Sequence, residues 1–240
     1  MSSAARLPGI SVFLPSHNEE ANVERVVRGY LEALPAVAEA YEVIVVDDGS
    51  SDRTGAIADA LARQDSHVKV VHHEKNRGYG GAVISGIHAA TQPYVVLADG
   101  DGQFDPKEVA RLAEFVPEYD VVAGKRIHRA DPLMRRINGK AWTTLVRVVL
   151  GIGISDIDCG FKLFKRKFLD GMELRAHGAM ISTELMARVA GRGAKIKEVG
   201  VSHLPRLAGE QSGANLKVIA RAFRELFVLY GELRAERRTH

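Results

Sequence analysis

Short, nearly unbroken apolar runs alternate along this chain with longer stretches whose apolar positions recur at helical spacing. Ile10 to Pro15 is the first such run, and after a Ser16-His17-Asn18 loop the stretch from Glu19 to Leu34 reads as a helix. Tyr41 to Val46 is rich in β-branched residues and stops at Asp47-Asp48-Gly49-Ser50-Ser51-Asp52, after which Arg53 to Gln64 has helical periodicity. The pattern then repeats, with strands at His67 to His72, Tyr94 to Ala98 and Asp120 to Ala123, and helices at Gly80 to Thr91 and Pro106 to Phe115. Strands that are apolar on both faces and separated by helices require a mostly parallel sheet with helices on both faces, the α/β class.

Right-handed crossovers bring the loops that follow parallel strands to one edge of the sheet. His17-Asn18-Glu19, Asp47-Asp48 and Asp99-Gly100-Asp101 are therefore expected to line one crevice. Asp99 and Asp101, with only Gly100 between them, can both face a hard cation such as Mg2+ or Mn2+, and Gln103 adds a neutral oxygen. Coordination positions left open by so few ligands suit an ion shared with phosphates. The triplet alone does not separate that use from a pair of loop caps, and Asp105 ahead of Pro106 reads as a helix N-cap.

Asp47 lies too early to cap the helix near Arg53, a task for Ser50, Ser51 or Asp52, and a carboxylate there suits a base or ribose. Asn76-Arg77-Gly78-Tyr79-Gly80-Gly81 is a glycine-rich turn into a helix whose amides can approach an anion, although it matches neither the dinucleotide fingerprint nor the P-loop. His72-His73 reads as the end of a strand, and Cys159 as a buried small hydrophobe.

Taken in order, these segments resemble the family 2 glycosyltransferases, and within them the dolichol-phosphate mannose synthase-like and polyprenyl-phosphate glycosyltransferase group. The matching residues are Pro15-Ser16-His17-Asn18-Glu19-Glu20, Val45 to Asp52, Asn76-Arg77-Gly78 and Asp99 to Gln103. Downstream they are Val122 to Arg126, Arg135-Arg136-Ile137-Asn138 and Asp156 to Phe164, so the resemblance runs from Ile10 to Arg206. It implies a GT-A (Rossmann-like, nucleotide-binding) fold, a GDP- or UDP-sugar donor, inversion at the anomeric carbon, and Mg2+ or Mn2+ as cofactor. By the same resemblance, Pro15, His17, Glu19 and Asp47 line the nucleoside pocket, with Asp48 and Arg77 beside it. Asp99, Asp101 and Gln103 hold the metal on the donor diphosphate, and Arg206 closes over it. Arg126, Arg135 and Arg136 receive the acceptor's phosphate; Asp101, Arg126 and Arg135 are the residues expected to carry catalysis. His17 stands where the family usually has an aromatic residue, so its base contact departs from the pattern.

The chemistry agrees with this inventory. A phosphate monoester is already an anionic nucleophile at neutral pH, so transfer to a polyprenyl phosphate needs no protein base, only guanidinium groups to hold its charge. A hydroxyl acceptor on a saccharide or small molecule would need a base, for which Glu184 or Asp158 is the candidate. A nucleotidyltransferase would call for a glycine-rich triphosphate loop after the first strand, where this chain has Pro-Ser-His-Asn-Glu, and a noncatalytic nucleotide-sugar sensor would keep the pocket without turnover.

Composition adds bounds. The chain has 240 residues, 46% hydrophobic and 26% charged, the make-up of one globular domain, expected over residues 1–214 with a basic amphipathic helix and tail over 215–240. Its single cysteine excludes an internal disulfide. With no leader-like start and no run of roughly 20 apolar residues, a cytoplasmic location is expected, peripheral at the membrane face. A net charge of +3 does not point to nucleic acid. The charge is uneven, however: seven basic residues and one acid lie between Lys125 and Arg147. Lys217, Arg221 and Arg224 interleave with Phe223, Leu226, Phe227, Leu229 and Tyr230, a pattern that suits the membrane surface, a second copy in a homodimer, a separate membrane partner, or packing on the domain itself.

Overall fold

A computed structural model of the chain describes residues 6–127, 133–205 and 216–239. The five expected strands form as β1 (Leu7–Ser16), β2 (Ala38–Asp47), β3 (Val68–His72), β4 (Tyr94–Ala98) and β5 (Val121–Ile127). β6 (Phe161–Lys165) and β7 (Ile196–Ser202) complete a seven-stranded sheet in the order β3-β2-β1-β4-β6-β5-β7. The helices are α1 (Val23–Ala33), α2 (Thr54–Gln64), α3 (Gly78–Ala89), α4 (Val109–Ala113), α5 (Leu133–Leu150), α6 (Met180–Gly191) and α7 (Leu216–Thr239).

The first helix starts four residues later than its periodicity suggests. The Asn22 and Val23 amides both donate to the Glu19 carbonyl, so Glu19 to Asn22 closes a turn before the helix begins. β6 alone runs against its neighbours, antiparallel to both β4 and β5, while the other pairings are parallel. Its first residue, Phe161, therefore lies beside Ala98, the last residue of β4. The segment that enters β6 thus reaches the same sheet edge as the loops that leave β1, β2, β3 and β4.

Period-two alternation divides the core between the two faces. Ile10, Val12, Leu14, Val43, Val45 and Val96 point to one side, under α1, α2 and α4. Phe13, Ile44, Val46, Val95 and Leu97 point to the other, with Val83, Val146, Leu185, Leu226 and Leu229 from helices α3, α5, α6 and α7. Burying so many side chains at roughly 1.5–3 kcal/mol each is what holds the sheet rigid beneath its loops. The last helix divides its apolar residues: Leu226, Leu229 and Leu233 join this core, whereas Phe223, Phe227, Val228 and Tyr230 remain exposed. No helix among the described residues is long and apolar enough to cross a membrane.

Candidate active site

The loops after β1 and β2 are tied together by short polar side chains that bond backbone amides across the gap. Asn18 takes a left-handed conformation (φ 55°), which an asparagine tolerates better than most residues. Its amide donates to Ser50 Oγ at 3.0 Å, and its side-chain oxygen accepts from the Ser51 amide at 2.9 Å. The Glu19 amide donates to Thr54 Oγ1 at 2.8 Å, and the Glu20 amide to Asp52 at 3.1 Å. His17 Nδ1 donates to the Asp48 carbonyl at 3.0 Å. Pro15 and Glu19 are buried beneath this lattice, with Glu19 accepting from the Asn22 side chain at 2.7 Å.

Asp47 and Asp48 end β2 with both carboxylates already engaged. Asp47 accepts from the Ser50 amide at 3.1 Å and faces His72 Nδ1 at 3.1 Å. Asp48 accepts from the Arg77 amide at 2.8 Å and faces His73 Nδ1 at 2.6 Å, with both side chains of that pair buried. Asp48 thus holds the start of the glycine-rich turn, leaving Arg77 exposed at the N-terminus of α3. On the turn's far side a Cβ at Gly80 would come within 2.0 Å of the Ala176 carbonyl oxygen, so only glycine lets this turn pack against residues 176–177.

The pair after β4 is different. Burial pushes the Asp99 carboxyl up to about 7, and the charge of Asp101 adds to the effect. Tyr79 donates its hydroxyl to Asp99 at 2.7 Å, and the Asp99 amide donates to the Gly160 carbonyl at 3.1 Å. A Cβ at Gly160 would lie 1.9 Å from an Asp99 carboxylate oxygen, so this glycine keeps the space the carboxylate occupies. Asp101 accepts from the Gln103 amide at 3.0 Å, and the Gln103 side chain donates to the Leu204 carbonyl at 3.1 Å. The strand end after β7 is thereby fastened along the Asp101-to-Gln103 turn.

Two like charges this close, one of them desolvated, form a site that a divalent cation would relieve, and the hard oxygen donors fit Mg2+ or Mn2+. Among the described residues no three His, Cys, Asp or Glu side chains converge as a cage, so such an ion must take further oxygens from a ligand. Asp105, as expected, caps the next turn, accepting from the Lys107 amide at 3.0 Å.

Arg126, at the end of β5, is paired with Asp156: Nε donates at 2.8 Å and Nη2 at 2.6 Å. Burial lowers its tendency to hold a proton, but the Asp156 carboxylate more than offsets this and raises it. Asp156 is set in turn by Glu198 of β7, which accepts from the Ser155 and Asp156 amides at 2.8 and 3.1 Å. Lys162, buried in β6, donates to the carbonyls of Ile157 and Cys159, which fixes the segment carrying Asp158. Burial lowers the Lys162 pKa and pushes the Cys159 thiol up to about 12, in keeping with an inert buried cysteine.

Glu184, one of the two base candidates, is already engaged. It lies in the second turn of α6 and is buried. Its carboxylate accepts from the Arg175 and Ala176 amides at 2.9 and 2.8 Å and from Arg188 Nε at 2.9 Å. Those bonds anchor the segment packed against the glycine turn, and a carboxylate so engaged is not a general base for an incoming hydroxyl. Arg206 lies outside the described residues; Arg135 and Arg136 fall in α5, with side chains that also lie outside them. From sequence, His72 and His73 read only as a strand end, and Tyr79, Asp156 and Lys162 only as members of their motifs, with no role of their own. A lysine inside an apolar strand was the one legible signal among them, since a charge there has to find buried acceptors.

The sequence model described as Glycosyl transferase family 2 matches residues 11–172. The chain is 30% identical over 215 residues to the undecaprenyl-phosphate 4-deoxy-4-formamido-L-arabinose transferase of Pectobacterium atrosepticum, covering 89% of this chain and 65% of that protein. It is 33% identical over 207 residues to glycosyltransferase AglD of Haloferax volcanii, covering 82% of this chain and 33% of that one. Among solved structures, glucosyl-3-phosphoglycerate synthase from Mycobacterium tuberculosis, in complex with Mn2+, uridine diphosphate and phosphoglyceric acid, superposes with a TM-score of 0.72 at 21% identity. That match covers 94% of this chain and 78% of the synthase, and establishes likeness of fold.

Proposed function

This chain belongs to glycosyltransferase family 2, and from that premise we propose that it moves a hexose from a GDP- or UDP-sugar to a polyprenyl phosphate, with inversion and with Mg2+ or Mn2+. The observation that carries the reading is the Asp99–Asp101 pair, raised to about 7 at Asp99 and set at the same sheet edge as the Asp47–Asp48 loop. The cross-bonded loops of residues 17–20 and 48–54 form the nucleoside side, beside the exposed Arg77 at the start of α3; the amides of Arg77, Gly78 and Gly80 are already held by Asp48, the Asn76 side chain and the His177 carbonyl. A bound cation supplies Lewis-acid neutralisation of the departing diphosphate.

The acceptor's phosphate oxygen forms the new bond to the anomeric carbon as the carbon–oxygen bond to the diphosphate breaks. Its own charge makes it the nucleophile, so the chain's task is to hold two anions together. Arg126, fixed by Asp156 through Nε and Nη2, is a preorganised cation for that purpose, with Arg135, Arg136 and Arg206 as its partners. The undecaprenyl-phosphate transferase named above supports this acceptor; the chain spans 65% of that relative, so the acceptor rests on the reading itself. Asp158 remains the base candidate for a hydroxyl acceptor.

The exposed apolar residues Phe223, Phe227, Val228 and Tyr230 of α7 and Val148 of α5, together with Arg147 and Arg224, suit contact with an anionic lipid surface from which such an acceptor is taken. The test is a thermal-shift panel of UDP- and GDP-sugars with and without Mn2+, followed by a transfer assay with undecaprenyl and dolichyl phosphate. One nucleotide class is expected to raise the melting point only with metal present. A metal-independent shift of equal size, or transfer that proceeds without lipid phosphate, contradicts the reading.

A further inference from the structure

Two adjacent histidines hold the two adjacent aspartates at the end of β2, and they do so with different chemistry. His73 faces the Asp48 carboxylate through Nδ1 at 2.6 Å and the Ser85 hydroxyl through Nε2 at 2.8 Å. A hydroxyl donates as readily as it accepts, so a ring with one N–H satisfies both neighbours. His72 faces Asp47 through Nδ1 at 3.1 Å and Asp59 through Nε2, also at 3.1 Å. Both of its partners are carboxylates, which only accept. A neutral imidazole has a single N–H and would turn a lone pair towards one of them; only the imidazolium donates to both.

We propose that His72, held as an imidazolium between Asp47 and Asp59, is a positioning residue for nucleotide recognition, so that donor affinity falls when this ring loses its proton. The proposal rests on the nucleotide-binding reading above, in which Asp47 meets the nucleoside. Asp47 is the last residue of β2 and pairs in register with His72, the last residue of β3. Its carboxylate is held on one side by the Ser50 amide and on the other by His72. Release of the second contact leaves the carboxylate free to rotate out of the position that the first one selects. The charged groups facing His72 are Asp47 from β2 and Asp59 from α2, while His73, the residue after β3, turns to Asp48. The bond to Asp59 is the larger influence holding the proton on the ring, with Asp47 adding to it and burial opposing it. The folded ring therefore keeps its second proton above the ordinary histidine value, and both bonds are present together only below that point; as the pH rises through it the one remaining N–H stays with Asp59, the stronger partner, and the bond to Asp47 is lost.

The experiment measures the dissociation constant of UDP and GDP with Mn2+ by calorimetry between about pH 6 and pH 8.5. It compares the wild type, His72→Gln and Asp59→Asn, and follows His72 in the nucleotide-free protein by its imidazole NMR signals. The nucleotide's own ionisation is common to all three proteins, so the difference between profiles isolates the ring. Wild-type affinity should exceed that of His72→Gln about fivefold at the acid end, the size of one charge-assisted hydrogen bond, and the two should converge at the alkaline end. Asp59→Asn leaves Asp47 and His72 in place and should move the wild-type inflection, and the NMR titration of His72 with it, to lower pH. Parallel profiles for wild type and His72→Gln, with nucleotide bound by both, overturn the role of His72 and leave the nucleotide reading standing. A wild type that binds neither nucleotide with Mn2+ overturns that reading and the proposal with it.

Discussion

The two acidic pairs at the sheet edge look alike in sequence and are treated in opposite ways by the fold. Asp47 and Asp48 meet imidazoles and backbone amides, so that both carboxylates are hydrogen-bonded by the protein itself. Asp99 is desolvated beside Asp101, and the contacts that favour its charged form do not prevent its rise to about 7. The first pair is a finished surface against which an organic group can be read. The second is an electrostatic conflict that an added cation would resolve, and that difference, rather than the count of carboxylates, is why the proposed function gives the metal to the second pair.

The comparison can be broken most directly at Asp101. Asp101→Ala should abolish the metal-dependent thermal shift and lower sugar transfer about a thousandfold, the scale of losing an electrostatic group at a reacting centre; a retained shift would show that the conflict is not what binds the ion. Gly160→Ala forces a methyl into the space of the Asp99 carboxylate, 1.9 Å away. Transfer should fall about a hundredfold, with roughly 1–3 kcal/mol lost on urea unfolding, whereas the nucleotide affinity measured without metal should hold.

Asp99 also gives the pair a pH signature. Its folded value of about 7 lies above that of an unfolded aspartate, about 4. Between those limits the folded chain binds a proton that the unfolded chain has released, so this group's contribution favours folding at the acid end and is lost as the pH rises towards 7. Metal-free Asp99→Asn should therefore be more stable than the wild type at neutral pH by roughly 1–4 kcal/mol, with the difference shrinking towards pH 4; saturating Mn2+ should narrow or reverse it. An identical pH dependence in the two proteins would remove the conflict from the account. The smallest effect on chemistry is expected at Glu184, whose carboxylate anchors backbone amides. Glu184→Gln should cost roughly 1–3 kcal/mol of stability and leave kcat within about threefold; a collapse of kcat in a folded variant would restore it as a base.

Much of this was legible before any coordinates. β4 appears with its sequence-derived bounds, Tyr94–Ala98, and β2 ends on Asp47. Both follow from apolar runs cut off by acids and glycines. The convergence of the His17, Asp47 and Asp99 loops followed from parallel topology alone. Helix starts were less legible: Glu19 to Asn22 forms a turn because Asn18 turns left-handed and the loop bonds across to Ser50, Asp52 and Thr54. Glu184 keeps two readings in sequence, because a carboxylate in the first turns of a helix looks the same whether it faces a substrate or buried amides.

The sequence by itself determined the class of fold, the family, and which loops share an edge, because these depend on local periodicity and on motifs that occur in a fixed order. The reversal of β6 was decided only in three dimensions, and so were the hold of Tyr79 and Gly160 on Asp99, the pairing of Arg126 with Asp156, and the division of labour between His72 and His73. Such contacts join residues 20 to 30 or more positions apart. Neither their distance nor the desolvation they impose on a carboxylate is written in any one segment of the chain.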